Sequence, residues 1–267
     1  NLLAVTLLFI GITANSQTRY LDEIFTDVSV TETNFAQNIS VMPVLLGQPP
    51  ALMPIECDIY KPIGDNVTNR PVIIVSHTGS FLPPVLNGQP TGSVKDLSIV
   101  EQCTRWAKKG YVAVAMGNRK GWQPTSSDQN VRTSTLLQAA YRGIQDAKAM
   151  VRFMRMTEDA LGNPYGIDPD KIVLGGQGTG AYIALGYATL DNPTVELNLF
   201  KFIDFSNPSA PVPYVIPQFF GNIDGTDLTF MPLFDTSGAI IGLDSTSPTN
   251  IPNHPQYSND INMAFNL

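Results

Sequence analysis

Residues 171–182 read K-I-V-L-G-G-Q-G-T-G-A-Y. A short apolar strand at 172–174 runs into a glycine-rich turn, and a helix follows over 181–190. Glycine adopts strained turn conformations without the steric penalty that a Cβ brings. A strand, a sharp turn and a helix in this order place the chain among folds that alternate strands with helices.

The segments before it repeat the alternation. Residues 71–75 (P-V-I-I-V) and 111–116 (Y-V-A-V-A-M) are continuous apolar runs, as expected of central strands covered on both faces. Ile99, Val100, Cys103, Trp106 and Ala107 recur at helical spacing, which predicts a helix over 94–109 with Gly110 as its stop. Leu136, Leu137, Ala140, Ile144, Ala147, Val151 and Met154 share one face of a longer helix over 133–156. The connection 163–170 (N-P-Y-G-I-D-P-D) reads as turns, and 172–174 as a short strand. Near the start, 28–31 and 55–60 alternate apolar and polar residues, the pattern of half-buried antiparallel strands. The fold class is α/β: a mostly parallel central sheet, right-handed crossovers and helices on both faces.

From 191 to 260 prolines accumulate among Gly, Asn, Asp and Thr. A stretch this long is either functional or poorly ordered. It reads as a lid or cap inserted after the turn helix. Residues 261–267 turn apolar again, like the opening of a further core strand, so the domain 18–267 is expected to be incomplete at its C-terminus. At the other end, residues 2–12 form an apolar run followed by Thr13, Ala14, Asn15 and Ser16. This is the pattern of a secretory signal peptide over 1–17, which places the mature protein outside the cytoplasm. A buried N-terminal helix is the other reading. The run is too short to span a membrane.

The balance of 16 Lys+Arg against 23 Asp+Glu is acidic, and no basic stripe is present, which argues against a nucleic-acid partner. Cys57 and Cys103 are the two cysteines, and an oxidising compartment permits one disulfide between them; two buried free thiols are the alternative. With only His77 and His254 beside them, no metal-ligand spacing appears, and no metal or organic cofactor is implied.

Three segments together resemble the α/β-hydrolase superfamily, in its secreted bacterial esterase and lipase-like branch. Residues 70–81 (R-P-V-I-I-V-S-H-T-G-S-F) resemble the strand and H-G-G-G loop whose backbone N–H groups help form an oxyanion hole. His77, Thr78, Gly79 and Ser80 occupy the loop, with Thr78 and Ser80 in place of two glycines. Residues 110–119 (G-Y-V-A-V-A-M-G-N-R) resemble the strand that ends in an aromatic–Arg pair; Arg119 matches the Arg and Asn118 replaces the aromatic. Residues 165–180 (Y-G-I-D-P-D-K-I-V-L-G-G-Q-G-T-G) resemble the approach to the G-x-S-x-G nucleophile elbow. The frame is Gly176-Gln177-Gly178-Thr179-Gly180, so Gly178 holds the nucleophile seat and the Ser is absent. The resemblance implies an oxyanion hole from the Thr78–Ser80 loop and the N–H of Thr179. It also implies an acid and a His later in the chain, in the order Ser, acid, His. His254 reads as a lid residue and His77 as a structural residue of the loop. The implied function is that of a carboxylic-ester hydrolase impaired at its nucleophile, acting on a small ester or similar apolar ligand.

Two other readings fit the same residues. One is a non-catalytic module that holds a ligand in the same cleft. The other takes Gly176-x-Gly178-x-x-Ala181 as the dinucleotide fingerprint G-x-G-x-x-A, with Asp204 as the acid after a following strand.

Overall fold

A computed structural model describes residues 18–267; the expected signal peptide at 1–17 lies outside the described residues. In chain order the first part comprises β1 (Val28–Ser40), β2 (Ala51–Pro62), β3 (Arg70–Ser76), α1 (Pro84–Asn87) and α2 (Leu97–Lys108). Then come β4 (Val112–Met116), α3 (Gln129–Asp159), β5 (Ile167–Gly176) and α4 (Thr179–Thr189). The later part holds α5 (Pro193–Glu196), β6 (Ile203–Asp204), β7 (Val212–Pro213), α6 (Pro217–Phe220), β8 (Thr229–Phe234), β9 (Ile240–Asn250) and β10 (Met263–Asn266).

The central sheet has the order β1-β2-β4-β3-β5-β10. β2 runs antiparallel to both of its neighbours, while β4, β3, β5 and β10 are mutually parallel. The apolar run at 71–75 is the centre of this sheet, as its composition requires. Val72 and Ile74 of β3, with Val112, Val114 and Met116 of β4, pack toward Met150, Met154 and Ile183 of α3 and α4. Ile73, Val75, Ala113 and Ala115 face the other way, onto Ile99, Cys103 and Ala107 of α2. The period of two along each strand thus feeds two cores, one on each face. Cys57 belongs to the first core and Cys103 to the second. The sheet lies between them, and both thiols are free and buried.

Two details differ from the sequence expectation. β5 is not a three-residue strand but begins at Ile167, inside the stretch read as turns. Its pairing with β3 jumps from Arg70↔Ile167 to Val72↔Ile172, so 168–171 bulge out of the ladder and Pro169 removes no bond from it. Asp168 and Lys171 close the bulge as an ion pair at 2.8 Å. Within the 191–260 segment, β8 and β9 form an antiparallel hairpin. The segment packs along α3, whose polar side chains satisfy its backbone carbonyls. Gln138 donates to Tyr214 O, Tyr141 to Gly221 O, Gln145 to Phe220 O and Asn222 O, and Arg152 to Asp224 O. Residues 263–266 form a strand, as expected, but β10 is the edge strand beside β5 and is exposed or half-buried along its length, not a core strand.

The start of β3 is anchored by charge. Asp65 accepts from Arg70 Nε at 2.7 Å and also pairs with Arg19. Burial alone would raise the Asp65 carboxyl, but the bonds from Arg19 and Arg70 outweigh it and hold it at about 2. Its folded pKa lies below the unfolded carboxylate value of about 3.9, so this stabilisation is full above about pH 4 and is lost as pH falls toward 2. Asp65→Asn is expected to lower Tm at pH 6–7, with the gap to the wild type narrowing between pH 4 and 2. Thermal unfolding of both proteins across that range checks it.

Candidate functional site

The parallel strands β3, β4 and β5 end on one edge of the sheet, and the loops after them converge there. β5 passes through Gln177 into α4, with Gly178 at the apex of the turn. Gly178 has φ 57° and ψ −117°, a region that costs any L-residue strain. The flanking glycines are required by proximity. A Cβ on Gly176 would lie 2.1 Å from the backbone of Gly180, and a Cβ on Gly180 would lie 2.1 Å from Ser76 O at the end of β3. The N–H of Gln177 donates to that same carbonyl, at 3.1 Å, and its side chain accepts from Ser98 Oγ at the start of α2. The turn is therefore clamped between two strands and two helices.

The loop after β3 faces it. Gly79 has φ 118°, and Ser80 and Phe81 have φ of 56° and 54°, uncommon for residues with a side chain. The Asn87 amide donates to Gly79 O, Leu82 O and Thr91 O, the Trp122 indole donates to Ser80 O, and Gly121 N–H donates to Phe81 O. Among the described residues, no acceptor engages the backbone N–H of Gly79, Ser80 or Thr179. Thr78 approaches the apex most closely: a Cβ built on Gly178 would meet Thr78 Oγ1 at 2.1 Å and Thr78 Cβ at 2.8 Å. All eight residues singled out from the sequence, His77 to Ser80 and Gly176 to Gly180 apart from Gly178 itself, are thus gathered around that apex on two facing loops.

This is the α/β-hydrolase fold. A mostly parallel sheet with helices on both faces ends in a strained strand-to-helix turn, exposed at the edge where the loops meet. No model of a known protein family matches the chain, and no curated protein sequence matches it. Among solved structures, it is similar to a thermophilic esterase of the planctomycete Thermogutta terrifontis in its native form. Identity is 24% and TM-score 0.37 over 58% of this chain and 42% of that one. The same esterase phosphonylated by cyclosarin gives 21% identity and TM-score 0.38 over 58% and 46%. The butyrate-bound form gives 27% and 0.34 over 49% and 39%. This chain spans less than half the length of those chains. The fold stands on the strand order and the turn geometry.

His77 is buried beside the turn. Its Nδ1 bonds the Thr78 carbonyl, so Nδ1 carries the proton, and Nε2 has no partner among the described residues. Burial, with a lesser contribution from the charge of Lys120, pushes its pKa down to about 3. It is a neutral ring that fixes the loop. Lys120 is itself lowered by burial. Arg119 turns into the core, where Nε bonds Asp146 Oδ1 at 2.8 Å and its backbone N–H bonds Asp146 Oδ2 at 2.6 Å. It ties the end of β4 to α3. The sequence showed Arg119 but not Asp146, whose place on a helix gave no sign that it would be buried and paired with Arg119.

Other candidates lie elsewhere. His254 Nε2 bonds Phe35 O on β1 at 3.0 Å, and its ring packs on Phe153. Asp204 sits in β6, in a two-stranded ribbon outside the central sheet, and accepts from Ser206. A cavity of about 310 Å³ lies between α3, α4 and the 191–260 segment, lined by Leu137, Ile144, Leu190, Leu197, Phe202 and Val215. Gly178 and Thr78 do not line it. No group of residues able to hold a metal ion occurs among the described residues. No helix among them is long and apolar enough to cross a membrane.

The clamped turn can be probed from both sides. Gly180→Ala forces a Cβ onto a backbone carbonyl and should cost about 1–3 kcal/mol or more, read by denaturant unfolding. His77 titrates near 3 when folded and near 6.5 when unfolded, so between these values the unfolded chain binds the extra proton and stability falls as pH drops. His77→Gln should therefore show a smaller fall in Tm between pH 7.5 and 5.5 than the wild type does.

Proposed function

We propose that this chain is an exported, esterase-like α/β-hydrolase-fold protein in which the elbow is built but its nucleophile has gone. The observation that carries this reading is Gly178 at φ 57° and ψ −117° on the apex between β5 and α4. In an ester hydrolase the apex side chain attacks the carbonyl carbon, and the N–H of the next residue, with the facing loop, stabilises the oxyanion. Here the apex offers no oxygen, while the N–H groups of Gly79, Ser80 and Thr179 are uncommitted among the described residues. Donors in that state suit the carbonyl oxygen of a small ester or similar apolar ligand, held without efficient turnover. Removing the nucleophile of such a site costs about six orders of magnitude in kcat and leaves roughly a thousandfold over water from the donors and the cleft. The apolar run at 2–12 supports export.

Initial rates on p-nitrophenyl acetate and butyrate test the reading. The expected outcome is hydrolysis no more than about a thousandfold above the uncatalysed rate. Turnover at about 1 s⁻¹ or faster, in the ordinary enzyme range, would show that a nucleophile operates and that Gly178 is not its vacant seat.

A further inference from the structure

The Gly178 apex is exposed, and the side chain that a Cβ there would meet first is that of Thr78, from the loop opposite. We propose that Thr78 and Gly178 are an exchanged pair. Thr78 has taken the space of the elbow side chain, and it is the residue that decides what can stand or bind at the apex. This rests on the reading of Gly178 as the nucleophile seat, and it adds a second residue that keeps the seat closed.

The geometry is specific. A Cβ on Gly178 would stand 2.1 Å from Thr78 Oγ1 and 2.8 Å from Thr78 Cβ. Rotation about χ1 can carry the hydroxyl away, but it leaves Cβ where it is, still inside van der Waals contact. The backbone of the loop would have to retreat instead, and it is held on the other sides. His77 bonds the Thr78 carbonyl from within the core. Next along the chain, a Cβ on Gly79 would lie 2.4 Å from Gly92 Cα, so the loop is already packed against the 92–93 turn. Asn87 and Trp122 tie down the carbonyls of Gly79 and Ser80. The apex has no more room to yield, because Gly176 and Gly180 are in backbone contact with their neighbours. A side chain at 178 and the threonine at 78 therefore exclude each other. Both positions depart from the esterase pattern, Thr for Gly in the loop and Gly for Ser at the elbow, and the two departures occupy one volume.

Restoring a side chain at the elbow should then require removing one from the loop. The test is a double-mutant cycle on the whole protein, with Tm measured for the wild type, Gly178→Ala, Thr78→Gly and the double variant. The positive φ at 178 strains an alanine in either background, so that cost cancels in the cycle, and what remains is the contact between the two positions. The expected result is that Gly178→Ala lowers Tm by at least about 2–4 °C more with Thr78 present than in the Thr78→Gly background. If Gly178→Ala does not fold, recovery of a folded protein on adding Thr78→Gly is the same result. An equal loss in both backgrounds, including failure of both to fold, would overturn the exchange. Ester turnover gained by Gly178→Ser with Thr78 intact would overturn it as well. Failure of the cycle leaves the nucleophile-free reading standing, whereas rapid ester turnover by the wild type removes that reading without any variant.

Discussion

The first turn of α4 lies directly against the end of β3. That contact fixes the geometry of the functional edge. Ser76 O sits where a Cβ of residue 180 would be, and residue 176 is pressed against the backbone of residue 180. A helix brought this close to two strands leaves only one route for the connecting residues, over a sharp apex with positive φ at 178. The apex is exposed, while its flanks are buried. Everything the elbow can present is set by that difference: one position facing outward, one uncommitted N–H after it, and a facing loop that ends the neighbouring strand.

The loop opposite owes its position to the polar groups beneath it. His77 is held neutral by burial and spends its one N–H on the Thr78 carbonyl. Asn87 gathers three carbonyls of the 79–91 segment with one amide group. Ser80 and Phe81 keep backbone angles that cost free energy, and such strain persists only where the surroundings over-determine it. The rigidity of this loop keeps the Thr78 side chain beside the Gly178 apex.

Farther from the apex, α3 plays two parts. Its apolar face packs on the sheet, through Met150, Val151 and Met154. Its polar side chains do not meet water as an amphipathic pattern would suggest. Asp146 pairs with Arg119, and Gln145 and Arg152 donate to carbonyls of the 191–260 segment. A buried ion pair such as Arg119–Asp146 offers little net stability against an apolar alternative, but breaking one partner away is costly, commonly about 3–5 kcal/mol. It therefore holds the end of β4 in register with the helix. The 191–260 segment lies along the same helix, and carbonyls of its irregular backbone are satisfied by polar side chains of α3.

The class of fold and the position of the sharp strand-to-helix turn were legible in one dimension. Continuous apolar runs at 71–75 and 111–116 require burial on both faces, and alternation at 28–31 and 55–60 marks the strands at the sheet's start. The glycines at 176, 178 and 180 announce a strand-to-helix turn too tight for side chains. These are local consequences of periodicity and of the space a Cβ needs, and they survive without knowledge of any neighbour. What depends on distant partners came only with the folded chain. Folding separated Cys57 from Cys103 by a sheet, bulged 168–171 out of the β3–β5 ladder, and laid the 191–260 segment along α3. It also brought Thr78 into the space above Gly178. Along the sequence Thr78 and Gly178 are far apart, and nothing in one dimension relates them. Only the parallel pairing of β3 with β5, which ends both strands on the same edge, makes them competitors for one volume.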